Sequence, residues 1–139
     1  MNIIIDSNVL FSALIKDSLT RRIILEYEKL FLFSLFIFEE MEEHKQELLN
    51  KSKMNKEEFE ILLSLILKKV IVVPYETLSP FKDKALKLVK DIDKDDIIFV
   101  ACALAYKDSI IWSDDKGLKK LKNIKVLNTR EIINYIMKK

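Results

Sequence analysis

MNIIIDSNVL, residues 1–10, sets three consecutive β-branched isoleucines directly before Asp6. An unbroken apolar run is what a strand of a parallel sheet requires when helices cover both of its faces. This run stops on a carboxylate, which serves either as the cap of the helix that follows or as a ligand at the strand end. Four further runs repeat the pattern: FLFS (31–34), VIVVP (70–74), SIIWS (109–113) and IKVLN (124–128). Between them, helical spacing predicts helices over 8–15, 19–29, 35–50, 55–69, 80–90, 94–107, 115–121 and 129–138. Start signals accompany several of these: Asn55 with Glu58, Ser79 before Pro80, and Asn128 with Glu131. Five strands alternating with helices predict a three-layer α/β/α fold, with right-handed crossovers and a parallel sheet.

The 139 residues suit one domain spanning 1–139, and no repeat, linker or low-complexity tract divides them. Apolar residues make up 50% and charged residues 33%, a balance that excludes both a disordered chain and a membrane protein. Uncharged stretches reach only about half of the roughly 20 residues that span a bilayer. The first residues lack a basic region followed by a long apolar one, so a cytoplasmic location is expected. The single cysteine, Cys102 in VACALAY, permits no internal disulfide and reads as a buried core residue. A net charge of +2 permits a nucleic-acid partner without demanding one.

Absences narrow the chemistry. The one glycine, Gly117, excludes a glycine-rich phosphate loop and a dinucleotide fingerprint, since both need several. One histidine, His44, and one cysteine cannot build a zinc finger, and no serine sits in a nucleophile elbow. Carboxylates remain in quantity.

In an open parallel sheet, ligands bind beyond the carboxyl ends of the strands. Asp6 stands at one such end, and Asp114 with Asp115 at another, which places them together if the two strands are neighbours. Asp93 and Asp96, three apart, share one face near the start of a helix, and Asp96, Val100 and Ala103 carry that face inward. On the helix over 35–50, Glu40 borders the apolar stripe Ile37, Met41 and Leu48, whereas Glu39, Glu42 and Glu43 point to solvent. Carboxylates drawn together repel unless a cation compensates them, and all-oxygen ligands select Mg²⁺ or Mn²⁺ over zinc. Such an ion lowers the pKa of bound water and neutralises charge on an attacked phosphodiester, which is the chemistry of a nuclease.

Each residue also has an ordinary role. Asp6 and Asp93 suit helix caps, and Asp114 and Asp115 suit a helix start. His44 fits packing or hydrogen bonding, Trp112 fits the core, and lysines 116, 119, 120 and 122 fit a wet helix face. The joint arrangement of the acids is what favours a site.

At this point the chain resembles the PIN domains, small metal-dependent nucleases. IIIDSNVLFSAL is similar to the first family motif, FEEMEEHKQELL to the second, DKDDIIFVACALAY to the third and IWSDDKGLKKL to the fourth, in order and across essentially the whole chain. Carried over residue by residue, the resemblance implies a catalytic, metal-binding quartet of Asp6, Glu40, Asp96 and Asp115. Asn8 and Ser113 become supporting polar residues, and Asp93 and Asp114 auxiliary ones. Glu39, adjacent to Glu40, competes for the glutamate position. The resemblance further implies the strand order 3-2-1-4-5, a homodimer, ribonuclease activity, and, for the many small members of VapC type, a toxin silenced by an antitoxin protein. Lys116, Lys119, Arg21 and Arg22 are expected to contact the RNA backbone.

Three other readings compete. A phosphoacceptor signalling domain would want its acid after the middle strand, and VIVVPYET ends without one. A phosphatase with a nucleophilic Asp would want an acid where Asn8 stands. A non-catalytic RNA-binding or assembly subunit would share the fold, and an intact quartet argues against it.

Overall fold

The computed structural model describes residues 2–27, 31–89 and 96–138. Strands β1 (Asn2–Ile5), β2 (Phe31–Ser34), β3 (Val70–Val73), β4 (Ser109–Trp112) and β5 (Lys125–Leu127) form one parallel sheet ordered β3-β2-β1-β4-β5. All pairings are parallel, so the five carboxyl ends lie along one edge. The register opposes Ile5 to Trp112 and Trp112 to Leu127, which brings the ends of the first and fourth strands level. The central strand is therefore β1, not the third in sequence, and it ends at Asp6. The missing acid after β3 consequently says nothing against a phosphoacceptor.

Helices α1 (Ser7–Ile15), α2 (Leu19–Glu26), α3 (Leu35–Glu43), α4 (Lys45–Ser52), α5 (Lys56–Leu67), α6 (Tyr75–Leu78), α7 (Lys82–Leu88), α8 (Ile97–Ala105), α9 (Lys116–Lys119) and α10 (Thr129–Met137) flank the sheet. In α8 the consecutive residues Phe99, Val100, Ala101 and Cys102 are all buried. A helix apolar on every side belongs in the interior, and α8 packs against β1, β2 and β4. Burial pushes the Cys102 thiol up to about 12, as expected of a core cysteine. Trp112 is fully buried, with its ring 5.7 Å from that of Phe31.

The capping boxes at Asn55 with Glu58 and at Asn128 with Glu131 both form. Other boundaries differ from expectation. The helix expected over 35–50 breaks at His44, whose backbone (φ −103°, ψ 12°) leaves the helical region. His44 N–H still donates to Glu40 and its carbonyl accepts from Leu48, so the apolar spacing runs through the break and conceals it in the sequence. Ser79 is no N-cap: it ends α6, its N–H donating to the Tyr75 carbonyl, and residues 79–81 form a 3₁₀ turn containing Pro80, with α7 after it. Proline has no N–H to give and fits only the first turn of a helix, so the chain restarts there. The helix over 115–121 shortens to the single turn α9. The expected ends at 28–29, at 90 and at 94–95 lie outside the described residues.

Candidate acidic site at the carboxyl edge of the sheet

Asp6 is 3% exposed and does two things at once. Its Oδ1 accepts the Val9 N–H at 2.9 Å, which caps α1, and its Oδ2 accepts the hydroxyl of Ser113. Ser113, equally buried, stands just past β4, and its Oγ also accepts the Asp115 N–H at 3.0 Å. Asp115 Oδ1 in turn accepts the Gly117 N–H at 2.7 Å and caps α9. Capping and site formation are thus not alternatives at this edge: the residues that end strands β1 and β4 start the next helices.

Burial raises the Asp6 carboxyl above its ordinary value, and the charges of Asp114 and Asp115 add to the rise against the opposing bonds from Ser113 and Val9. Among the described residues no lysine or arginine forms an ion pair with these three acids. These acids have no ion-pair partner among the described residues, and their donors are hard oxygens, which fits Mg²⁺ or Mn²⁺. Among the described residues no three acids, imidazoles or thiols form a ready cage. Mg²⁺ does not need one, because it keeps several waters and binds through one or two carboxylates.

The remaining expected residues come from other elements. Asp96 is 7% exposed at the start of α8. Glu40 lies on α3, which packs against α1 and β2, and has its Oε1 buried. Glu39 is exposed and accepts the Tyr75 hydroxyl at 2.7 Å, so it is occupied on the outside while Glu40 turns inward. Asn8 is exposed on the first turn of α1. Asp93 lies outside the described residues.

The basic residues divide. Arg21 donates to the carbonyls of Ala13 at 2.7 Å and Leu14 at 3.4 Å, tying down the end of α1. Lys119 pairs with Glu131. Lys116 and Arg22 are exposed. His44 is exposed rather than packed on the apolar stripe, 3.4 Å from Glu47 and edge-on to Phe11.

Two residues at this edge are not marked by the sequence. Ser34, buried at the end of β2, makes no side-chain hydrogen bond among the described residues. Thr129 receives the Trp112 indole N–H at 3.0 Å and donates to Asp114. NTRE (128–131) reads only as a capping box, and nothing in it points 15 residues back.

The family profile of the PIN domain matches residues 4–136. Among solved structures, VapBC2 from Rickettsia felis, determined bound to a DNA fragment from their promoter, is similar with a TM-score of 0.67. That likeness covers 92% of this chain and 98% of the other, at 16% identity. No curated protein sequence matches.

Proposed function

The chain belongs to the PIN-domain family, and from that membership we propose that it is an endoribonuclease dependent on Mg²⁺ or Mn²⁺. The observation that carries the reading is Asp6: a buried carboxylate at the end of the central strand, raised in pKa, beside two like charges and without an ion-pair partner among the described residues. A carboxylate is expensive to bury in that state and is tolerated where a cation completes the site.

Asp6, Glu40, Asp96 and Asp115 would hold the ion. When bound, it would lower the pKa of water and offset charge on the phosphodiester. The chain's own residues do the positioning. Ser113 fixes the rotamer of Asp6 by donating to Oδ2 and fixes the backbone of Asp115 by accepting its N–H. Asn8 is exposed on the first turn of α1, two residues after Asp6. Lys116 and Arg22, exposed, would meet phosphates without reading bases, while Arg21 and Lys119 already have intramolecular partners. A homodimer and an antitoxin protein are the partners this reading implies, the latter supported by the likeness to VapBC2.

Purified protein is incubated with single-stranded and structured RNA, in Mn²⁺ or in EDTA, beside Asp6→Asn and Asp96→Asn variants checked for folding. Cleavage that needs Mn²⁺ and disappears in both variants is the expected result. Binding of RNA without cleavage by any sample would leave a non-catalytic subunit of the same fold.

A further inference from the structure

Asp114 is an acid at the carboxyl edge, adjacent to Asp115, yet its carboxylate turns away to the first residue of α10. Its Oδ1 accepts the Thr129 N–H at 3.0 Å, and the Thr129 hydroxyl lies 3.3 Å from Oδ1 and 3.1 Å from Oδ2. The same hydroxyl accepts the indole N–H of the fully buried Trp112 at 3.0 Å. A threonine hydroxyl has one proton, so with the indole donating to it, that proton goes to Asp114. Trp112, Ser113, Asp114 and Asp115 are consecutive. Thr129 therefore grips the segment on both sides of Ser113, once at the end of β4 and once at Asp114. A second tie from the same turn, Glu131 to Lys119, holds α9, which Asp115 caps.

We propose that Thr129 is a positioning residue, and that Asp114 is the strut through which the first turn of α10 holds Ser113 and Asp115 in place. This sets Asp114 apart from an auxiliary metal ligand. Its consequence for cleavage rests on the nuclease reading; the bracing itself does not. A strut needs hydrogen-bond acceptors, which an amide oxygen supplies as well as a carboxylate oxygen. A metal ligand needs the charge.

Amide hydrogen exchange at Asp115 and Gly117 reads the bracing without any metal, because those N–H groups bond Ser113 Oγ and Asp115 Oδ1. In Thr129→Val, exchange at both should quicken about tenfold or more through local opening, while Thr129→Ser stays within about twofold of wild type. Asp114→Ala removes the same clasp from the other end and serves if the valine variant does not fold; Asp114→Asn should restore wild-type exchange. Unchanged exchange in the folded valine or alanine variants would overturn the proposal, as would Mn²⁺ affinity falling as far in Asp114→Asn as in Asp114→Ala. In cleavage, Thr129→Val should lower kcat with little change in KM. If exchange responds but no sample cleaves RNA with Mn²⁺, the strut stands and the nuclease reading falls.

Discussion

Ser113 donates its hydroxyl to Oδ2 of Asp6 across 107 positions of sequence, closing a buried contact between the ends of β4 and β1. The same oxygen accepts the Asp115 N–H. One hydroxyl thus orients a side chain on one strand and a backbone on the other. Removing it in Ser113→Ala should cost about 1–3 kcal/mol, because a buried carboxylate oxygen and an amide both lose a partner. Cleavage should fall about 10–100-fold, the usual effect of removing a residue that orients a ligand. Ser113→Thr keeps the hydroxyl and should recover both; denaturant midpoints and initial rates measure the outcome.

Asp6 has a folded-state pKa above its unfolded value, set first by burial. The native state therefore holds the proton more tightly, and stability falls as pH rises from the ordinary carboxylate range through the raised value. In EDTA, Asp6→Asn should be more stable than wild type at neutral pH, since it removes the buried charge while its amide oxygen still accepts the Val9 N–H and its amide nitrogen donates to Ser113 Oγ. That advantage should shrink as the solution is acidified. Thermal melts across pH would show it, and an Asn variant less stable than wild type at pH 7 would refute it.

Glu39 and Glu40 are separable by a tyrosine. Burial, and then the bond to Glu39, push the Tyr75 hydroxyl up to about 12. The stability this hydroxyl contributes is complete below pH about 10 and is lost as pH climbs towards the raised value. Glu39→Gln should bring Tyr75 ionisation down, as seen by ultraviolet titration, with cleavage largely retained. Glu40→Gln should leave Tyr75 where it is and abolish most cleavage.

Arg21 and Lys116 should respond oppositely. Arg21→Ala loses the bonds to the Ala13 and Leu14 carbonyls and should cost about 1–2 kcal/mol of stability, with RNA affinity little changed. Lys116→Ala should leave stability alone and lower the salt slope of RNA binding by about 0.7 if it contacts one phosphate.

Ser34 heads α3 yet caps nothing, and its buried hydroxyl makes no hydrogen bond among the described residues. Where a serine caps a helix, alanine costs about 1 kcal/mol. Here Ser34→Ala should be neutral or stabilising by up to about 1 kcal/mol, because it removes a buried polar group left unsatisfied. Chemical denaturation decides between the two.

What the sequence determined by itself is local. Burial of a strand on both faces demands unbroken apolar runs, and III, FLFS and SIIW became β1, β2 and β4, whereas VIVV became the edge strand β3, whose Ile71 and Val72 stay exposed. Capping boxes are contacts three residues apart, so Asn55 and Asn128 could be read directly. Motif likeness added the strand order and the acids. Tertiary structure decided everything that depends on neighbours in space: that the ends of β1 and β4 are level, so that Ser113 reaches Asp6; that Asp6 caps α1 and bonds Ser113 at once; that Arg21 and Lys119 are already engaged; and that Thr129 holds Asp114. Hydrophobic periodicity records which side of a segment is buried, and it carries no record of which segment lies opposite. The break at His44 stayed hidden for the same reason, because one residue outside the helical region barely disturbs the apolar spacing on either side of it.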